Sequence, residues 1–377
     1  MSARPIKRVR RGADTAEVRT LPLAAAAALA ILAFLSAPAS ATSPGQNGRI
    51  AFAGEGGQIQ SALPSGDDRR TLFADAGTSP SFSANAAKVA YTSFDGLNHH
   101  VVIRDTDGGG TPVVIDAPPE QPSPPNTRVF VMQPVVALSP DAQLVAYVVD
   151  VVDIQGLPPF GHTSGLAVLV HNANGEGDWW PIGGGTDPTF TPNGQSVVYA
   201  AGEGSAHDIA MAPAAESQAG GPQTTIVDHP GDELAPDVSP DGSRLVYQRD
   251  SGGGDYDIWT APFQADATFL AAPNYFSPLL ERHPVFSPDG TRIAYDRPEG
   301  IFIGDALGGN AALAISDPAA NPAWAAAAPP FGAGGPVSPQ TDPGDLGTVR
   351  KTSHKCKRKR PHASKRKRCG KPRKKRH

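Results

Sequence analysis

The sequence predicts an all-β protein built from a repeated hairpin, and two observations carry this prediction. First, residues 236–247 read PDVSPDGSRLVY, and residues 284–295 repeat the pattern almost unchanged as PVFSPDGTRIAY. Second, a hairpin of this size cannot bury its own apolar face, so its recurrence indicates an array of packed copies.

Each part of the motif has a local cause. A short apolar strand leads into a turn with Pro at its second position, where the ring presets φ, and Gly at its fourth, where a positive φ is allowed. The return strand, Leu-Val-Tyr or Ile-Ala-Tyr, has the β-branched and aromatic side chains that a half-buried pleated surface favours. Between Thr42 and Trp324 no helical period interrupts this alternation of strands and turns.

Weaker copies of the motif fill the rest of this region. Residues 187–199 have Asn in place of the turn Asp, residues 138–147 lack the turn Gly, and residues 80–91 lack both the Pro and the Gly. Residues 47–52 match only the return strand, and residues 321–324 match only the outgoing strand. Five whole copies and two complementary halves make six, and pairing of the halves would leave no long sheet edge unpaired.

The motif resembles the WD-repeat-like β-propeller repeat of the TolB family, whose consensus is approximately Pro-x-Trp/Phe-Ser-Pro-Asp-Gly-x-x-Ile-Ala-Phe/Tyr. The resemblance covers roughly residues 47–324 and is most specific in the last three whole copies. It implies a six-bladed propeller and a protein partner. Only a few residues separate Ala41 from the first strand, so we expect this chain to lack the separate N-terminal α/β domain of that family.

The spacing of the repeat agrees with this fold. The aromatic residue that ends each return strand recurs every 39 to 56 residues between Phe52 and Tyr295, which suits four-stranded blades with loops of different lengths. We therefore predict a six-bladed β-propeller of four-stranded blades over residues 42–326, closed by pairing of its N- and C-terminal strands. Surface loops are predicted at residues 117–127 and 153–165.

The N-terminus has the pattern of an export signal. Six Lys/Arg side chains precede an apolar run at residues 21–35, and Ala39-Ser-Ala41 provides a small-x-small cleavage site. Fifteen residues are short for a membrane span, so we interpret residues 1–41 as a cleaved signal, with an uncleaved anchor as the alternative. Arg10-Arg11 suggests the twin-arginine route, but the apolar residues expected after it are missing. We therefore expect Sec export to the periplasm or the exterior.

The charge is divided unevenly along the chain. The net charge of −4 combines 35 acidic and 11 basic residues between Thr42 and Val349 with sixteen Lys/Arg and no acid in residues 350–377. We predict a flexible Ala/Gly/Pro-rich linker at residues 327–349 and a disordered basic tail after it. The tail is expected to bind an anionic cell-wall polymer or lipid, or else the acidic region of its own chain. Export argues against nucleic acid.

Both cysteines lie in this basic segment. In an oxidising compartment Cys356 and Cys369 are candidates for a disulfide, within one chain or between two. A zinc site that also used His354 and His362 matches no common spacing, and the surrounding positive charge would repel the ion. No metal and no cofactor is predicted.

Known catalytic motifs were not found. Gly161-His-Thr-Ser-Gly165 places its Ser one position late for a nucleophile elbow, and no phosphate-binding loop or His-Glu-x-x-His is present. Two Asp-rich stretches, 105–108 and 250–257, lack the distal Glu of a calcium loop and suit turns between strands. No catalytic residue is predicted.

The candidate ligand-binding residues are polar side chains in the loops before the leading Pro of the copies. If the copies surround a central channel, these loops meet at one of its ends, and convergent polar groups in a concave site indicate binding. The six candidates are Gln133, Asp187, Glu233, Arg282, His283 and Asn321.

Three functions remain open on the sequence alone. The first is a secreted, non-enzymatic, monomeric propeller that binds a protein or small ligand at the cell envelope. The second is a propeller enzyme, a lyase or hydrolase that acts on an extracellular polymer at the end of the channel. The third is a sensor or scaffold that the basic tail attaches to an anionic surface.

Overall fold

The computed structural model describes residues 45–123, 126–155, 163–204, 206–250, 253–263, 272–275 and 280–327 of the 377. The predicted signal at residues 1–41, the linker beyond residue 327, the basic tail, and Cys356 and Cys369 lie outside these ranges. Backbone contacts divide the chain into Met1–Gly334 and Gly335–His377, and every described residue belongs to the first unit. No helix in the described ranges is long and apolar enough to cross a membrane.

The described residues form β-strands and two short 3₁₀ turns, Glu55–Gly57 and Glu216–Gln218. The strands are β1 Asn47–Ala53, β2 Gln58–Ala62, β3 Arg70–Phe82, β4 Lys88–Phe94, β5 His99–Asp105, β6 Val113–Ile115, β7 Gln121–Ser123, β8 Asn126–Leu138, β9 Leu144–Gln155, β10 Thr163–Asn172, β11 Trp180–Phe190, β12 Ser196–Glu203, β13 Ala206–Pro213, β14 Thr224–Val227, β15 Asp232–Val238, β16 Arg244–Asp250, β17 Tyr256–Pro262, β18 Ala272–Tyr275, β19 Arg282–Phe286, β20 Arg292–Arg297, β21 Gly300–Asp305, β22 Ala312–Ser316 and β23 Ala320–Ala326.

The strands pair antiparallel in sheets of seven, eight, four and four. The seven-stranded sheet has the order β23-β1-β2-β3-β4-β5-β6, and the eight-stranded sheet runs from β14 back to β7. Two long strands change partner along their length: β3 pairs with β2 up to Ala76 and with β4 from Gly77. In the same way β11 pairs with β10 up to Gly184 and with β12 from Gly185. Each of these strands therefore ends the group of strands around one copy of the repeat, which we call a unit, and begins the next unit.

The predicted pairing of the two terminal strands is present. In the antiparallel pair of β1 and β23, Ile50 lies opposite Trp324. The backbones of the two strands approach so closely that a Cβ on Gly48 would lie 2.6 Å from the carbonyl oxygen of Ala326, so this position requires glycine. The Asn47 side chain also donates a 2.9 Å hydrogen bond to Asp289, which fixes the first strand to the last turn.

The turns of the repeat share one hydrogen-bond pattern. In all five, a Ser or Thr hydroxyl donates to the Asp or Asn two residues later, over 2.6 to 2.9 Å. The predicted positive φ occurs at Gly242 and Gly290, both at 69°. Where the sequence lacks the turn Gly, the residue in its place still has a positive φ, 57° at Ala142 and 54° at Ala86.

The core lies between successive units. The aromatic residue of every return strand is fully buried, and Tyr147, for example, packs in one cluster with Val101 and Ile103 of the preceding unit. Each unit thus buries its apolar face only against a neighbour, as the repeat predicted. The buried aromatic residues are Phe52, Tyr91, Tyr147, Tyr199, Tyr247 and Tyr295.

Both loop predictions were wrong in part. Within residues 117–127, strand β7 pairs with the start of β8. Within residues 153–165, β9 and β10 continue as paired strands, and Thr163 lies opposite Asp153. The first segment contains prolines, which an edge strand tolerates, and the second has a mixed polar composition, so both resembled loops. In each segment the neighbouring strand provides the partners for the backbone hydrogen bonds.

Candidate functional site

Six chain segments of similar sequence line one cavity of about 190 Å³. We call them the inner segments: residues 79–84, 135–138, 187–190, 235–237, 283–286 and 321–324. Each runs from a leading position toward the turn of its hairpin or, in the last segment, toward the end of β23. We call the end of the cavity at the leading positions the mouth, and the opposite end the turn end.

The mouth is built from repeated β-bulges. The register with the neighbouring strand shifts at the start of every inner segment. In five of the six, the residue before the Pro has a positive φ between 48° and 52°, although none is glycine. Proline fits the next position because a bulge interrupts the ladder and needs no N–H there. The bulge turns the preceding side chain toward the mouth. The five residues with a positive φ before the Pro are Ser79, Asp187, Ala235, His283 and Asn321.

Three of the six candidate residues line the cavity, namely Asp187, His283 and Asn321. Gln133 does not, because the bulge in β8 places three residues opposite one, so Val135 occupies the mouth position. Arg282 is exposed and directly precedes His283 on β19.

Glu233 lies two residues before the mouth position of its segment and belongs to the core. Its carboxylate is fully buried, and Arg249 Nε lies 3.0 Å from its Oε1 while the guanidinium stacks on Trp259. Arg297 donates a 2.5 Å hydrogen bond to Glu281 in the equivalent position of the next unit. Because the arrangement repeats, we attribute Glu233 to packing of the unit and not to the cavity.

The charged groups of the mouth act on one another. Asp187 accepts a 3.3 Å hydrogen bond from the Ala235 N–H, and burial raises the pKa of its carboxyl although His283 opposes this. His283 Nδ1 lies 2.8 Å from Asp296 Oδ1. Burial disfavours the imidazolium, but the hydrogen bond and charge of Asp296 outweigh it and raise the pKa of His283.

Neutral polar groups complete the mouth. The backbone N–H of Asn321 donates a 3.2 Å hydrogen bond to Asp296, and its side-chain amide donates a 3.0 Å hydrogen bond to the Thr78 hydroxyl. The Ser79 hydroxyl donates to the Pro134 carbonyl oxygen over 2.7 Å. The mouth therefore offers carboxylate, imidazole, amide and hydroxyl groups held by the surrounding strands.

Sequence reasoning missed the residue after each leading Pro. Asp237 lines the cavity below the mouth and accepts a 2.8 Å hydrogen bond from the Phe286 N–H of the next inner segment. Ser81 makes the equivalent link to the Leu138 N–H over 2.9 Å. Burial raises the pKa of Asp237 to about 7. The signal was present, because Ser81, Thr189 and Asp237 are polar residues in the same position, directly after the leading Pro of three copies.

Among the described residues, no group of three or more His, Cys, Asp or Glu side chains is arranged to hold a metal ion. The chemistry that these residues offer at the cavity is hydrogen bonding and charge.

No protein-family model matches the chain, and no curated protein matches it significantly. Solved structures do match. TolB from Acinetobacter baumannii is 17% identical over 74% of this chain and 67% of its own, with a TM-score of 0.55. A protein assigned as TolB from Agrobacterium tumefaciens is also 17% identical, over 71% and 88%, with a TM-score of 0.48. The β-propeller domain of the Trilobed protease from Pyrococcus furiosus is 10% identical over 69% and 87%, with a TM-score of 0.39.

These identities bear on the fold alone. With the antiparallel sheets, the near absence of helix and the central cavity, the structural match to the Acinetobacter protein shows that the described region is an all-β, TolB-like β-propeller. The sequence prediction of this fold is confirmed.

Proposed function

We propose that this chain is an exported, non-enzymatic β-propeller that binds a protein or ligand at the cell envelope through the mouth of its cavity. One observation carries the proposal: the inner segments share a bulged backbone at the mouth, yet present a different side chain in each copy. A strained backbone that is repeated around a cavity and carries varied polar groups is suited to recognition. The TolB-like fold agrees with this role, since the resemblance implies a protein partner.

We further propose six blades of four strands over residues 42–326. Division of the seven-stranded sheet at Gly77 and of the eight-stranded sheet at Gly185, where β3 and β11 change partner, supports this count. Six inner segments around one cavity also support it. The small strand β7 is then an addition at the edge of β8.

The basic residues 350–377 are proposed to hold the exported protein to an anionic polymer or lipid. Each basic side chain near an anionic lipid surface contributes about 1 kcal/mol, and ~1 M salt shortens the screening length to about 3 Å. Cells that express the full chain or a chain ending at residue 349 are fractionated at low and high salt. We expect the envelope to retain more of the full chain than of the shortened chain at low salt, and high salt to remove this difference. Equal retention of the two chains at low salt, or a difference between them that high salt leaves unchanged, would contradict the tether.

The binding role is tested by affinity capture from envelope extract. The bait is the full chain, the double variant Asp187→Asn/His283→Gln, or the control Lys88→Ala, which breaks an exposed ion pair with Asp105 at the turn end. We expect a partner that mass spectrometry finds with the wild type and with Lys88→Ala but not with the double variant. Identical capture by all three proteins would overturn a role for the mouth.

A second function is favoured by one contact, the pairing of His283 with Asp296 at the mouth. A carboxylate on one ring nitrogen orients an imidazole for proton transfer from the other, as a lyase or hydrolase of an extracellular polymer needs. Release of oligosaccharides or unsaturated sugars from envelope polymers by the wild type, and not by His283→Gln, would favour this enzyme over the binding module.

A further inference from the structure

Neither of the two carboxylates that line the cavity is paired with a Lys or Arg side chain in the described part of the chain. Asp187 lies at the mouth, and Asp237 lies two positions deeper on the neighbouring inner segment. Neither carboxylate has a Lys or Arg nitrogen within 4 Å among the described residues, and both accept hydrogen bonds from backbone N–H groups. Two imidazoles act on Asp187, His283 from the cavity wall and His207 from outside it. Each already has a carboxylate partner, Asp296 for His283 and Asp232 for His207.

The surroundings of the mouth strengthen the negative potential. In each unit the inner segment runs away from the mouth. The second and fourth strands therefore end on the side of the mouth, and the charged residues near these ends are mostly acidic. The arginines there, Arg249 and Arg297, are each paired with a buried Glu, which leaves exposed Arg282 as the unpaired one in the described ranges. Clefts lined by one sign of charge concentrate ions of the opposite sign. The acids at these strand ends, in the loops that follow them or at the start of the next strand are Asp116, Asp208, Asp228, Asp250, Asp255, Asp296, Glu299 and Asp317.

The size of the cavity favours an organic group over a bare ion. Its volume of about 190 Å³ is many times the roughly 10–15 Å³ that a single water needs. No set of three metal-ligating side chains faces it in the described residues. A guanidinium or ammonium group needs fewer fixed ligands than a metal ion, and its donors match carboxylate, amide and hydroxyl acceptors.

We propose that the mouth binds an organic cation, a guanidinium or primary ammonium group, with Asp187 as its counter-ion and Asp237 below it in the cavity. This rests on the proposed function, because it names the chemistry of the ligand for the same mouth. The cation is a Lys or Arg side chain of a partner or a free amine, since both present the same group.

Agmatine, which carries both cationic groups, tests the proposal on the full chain. Its effect on Tm is measured by thermal unfolding at constant ionic strength, because a ligand of the folded state stabilises in proportion to RT ln(1 + [L]/Kd). The blocked tripeptide acetyl-Gly-Arg-Gly-amide represents a partner side chain, and glutarate and calcium chloride serve as controls. We expect a saturable rise in Tm with agmatine, with the tripeptide, or with both, and none with glutarate.

Two matched variants locate the effect. Asp187→Asn removes one charge in the cavity at almost constant shape, and Glu176→Gln removes one exposed charge from the loop between β10 and β11, at the turn end and outside the cavity lining. We expect Asp187→Asn to need at least tenfold more ligand for half its effect, and Glu176→Gln to stay within twofold of the wild type. The unliganded melting curve of each variant shows that it folds.

A response to agmatine alone identifies a free amine as the ligand, and a response to the tripeptide alone identifies a side chain. No response to either, an equal response of Asp187→Asn, or a response to calcium only would overturn the proposal. Competition separates it from the proposed function. If the double variant loses a partner that agmatine does not displace from the wild type, the binding module stands and the cation site fails.

Discussion

The turn end and the mouth of the cavity are built from the same repeats but differ in what the repeats keep. At the turn end both backbone and side chains recur, and the same hydroxyl-to-carboxylate or hydroxyl-to-amide hydrogen bond closes all five turns. At the mouth only the backbone recurs, as a bulge with a positive φ, while the side chain varies from Ser79 to Asp187 to His283. We infer that the turn end maintains the fold and the mouth carries recognition.

The largest expected effect comes from removing the last inner segment, which belongs to the strand that pairs the two ends of the domain. Deletion of residues 317–324 takes away most of β23, which pairs with β1 and covers Ile50. Because each unit buries its apolar face against a neighbour, we expect loss of the cooperative unfolding transition of the whole domain. Deletion of residues 336–343, which lie outside the described ranges, is the size-matched control. Equal Tm values for the two deletions would mean that this pairing does not close the propeller.

At the mouth end, Asp237 is expected to lower stability at neutral pH. Its carboxyl has a pKa of about 7 in the fold and about 3.9 when unfolded, so the folded state binds an extra proton between these values. Stability conferred by the protonated form is therefore complete below about pH 4 and is lost as the pH rises toward 7. Asp237→Asn cannot titrate. Because one pKa unit corresponds to about 1.4 kcal/mol, we expect its free energy of unfolding at pH 8 to exceed that of the wild type by roughly 2–4 kcal/mol.

The free energy of unfolding of both proteins from pH 4 to 8 measures this difference. Groups that titrate in both proteins cancel in the comparison, which isolates Asp237. Parallel curves across the window would show that this carboxyl is charged throughout, and the mouth would then not differ from the turn end in its electrostatics.

A smaller loss is expected at the turn end. Gly290 has φ 69°, and a Cβ there would meet only Pro240 Cδ at 3.7 Å, so space is available and the backbone alone opposes a side chain. Gly290→Val should therefore cost about 1–3 kcal/mol, measured by denaturant unfolding, with ligand binding at the mouth unchanged. A variant that binds less but unfolds at the same denaturant concentration would reverse the roles of the two ends.

The sequence predicted the turn end well and the mouth only in part. Pro, Gly and the buried Tyr are local signals, so the hairpins around Gly242 and Gly290 followed directly from them. The mouth depends on bulge length, which the hydrogen-bond register of β8 decides and a single sequence does not encode locally. Counting back from Pro134 therefore selected Gln133 in place of Val135, while His283 and Asn321 were found where the bulge is regular.

The smallest expected effect is at Ala142, where the turn end departs from its own pattern. Its φ of 57° is a conformation that an L-residue adopts at a cost of about 1–2 kcal/mol. Glycine would remove this cost. It would also raise the conformational entropy of the unfolded chain, which disfavours folding by about 0.4–1 kcal/mol, so we expect Ala142→Gly to stabilise the domain by about 0–1 kcal/mol. Ala86→Gly is the matched control: its φ is 54°, but its side chain is only 3% exposed, so the lost burial should cancel the gain. Chemical denaturation of both variants checks the order. A larger loss at Ala142 than at Ala86 would show that the turn tolerates alanine without strain.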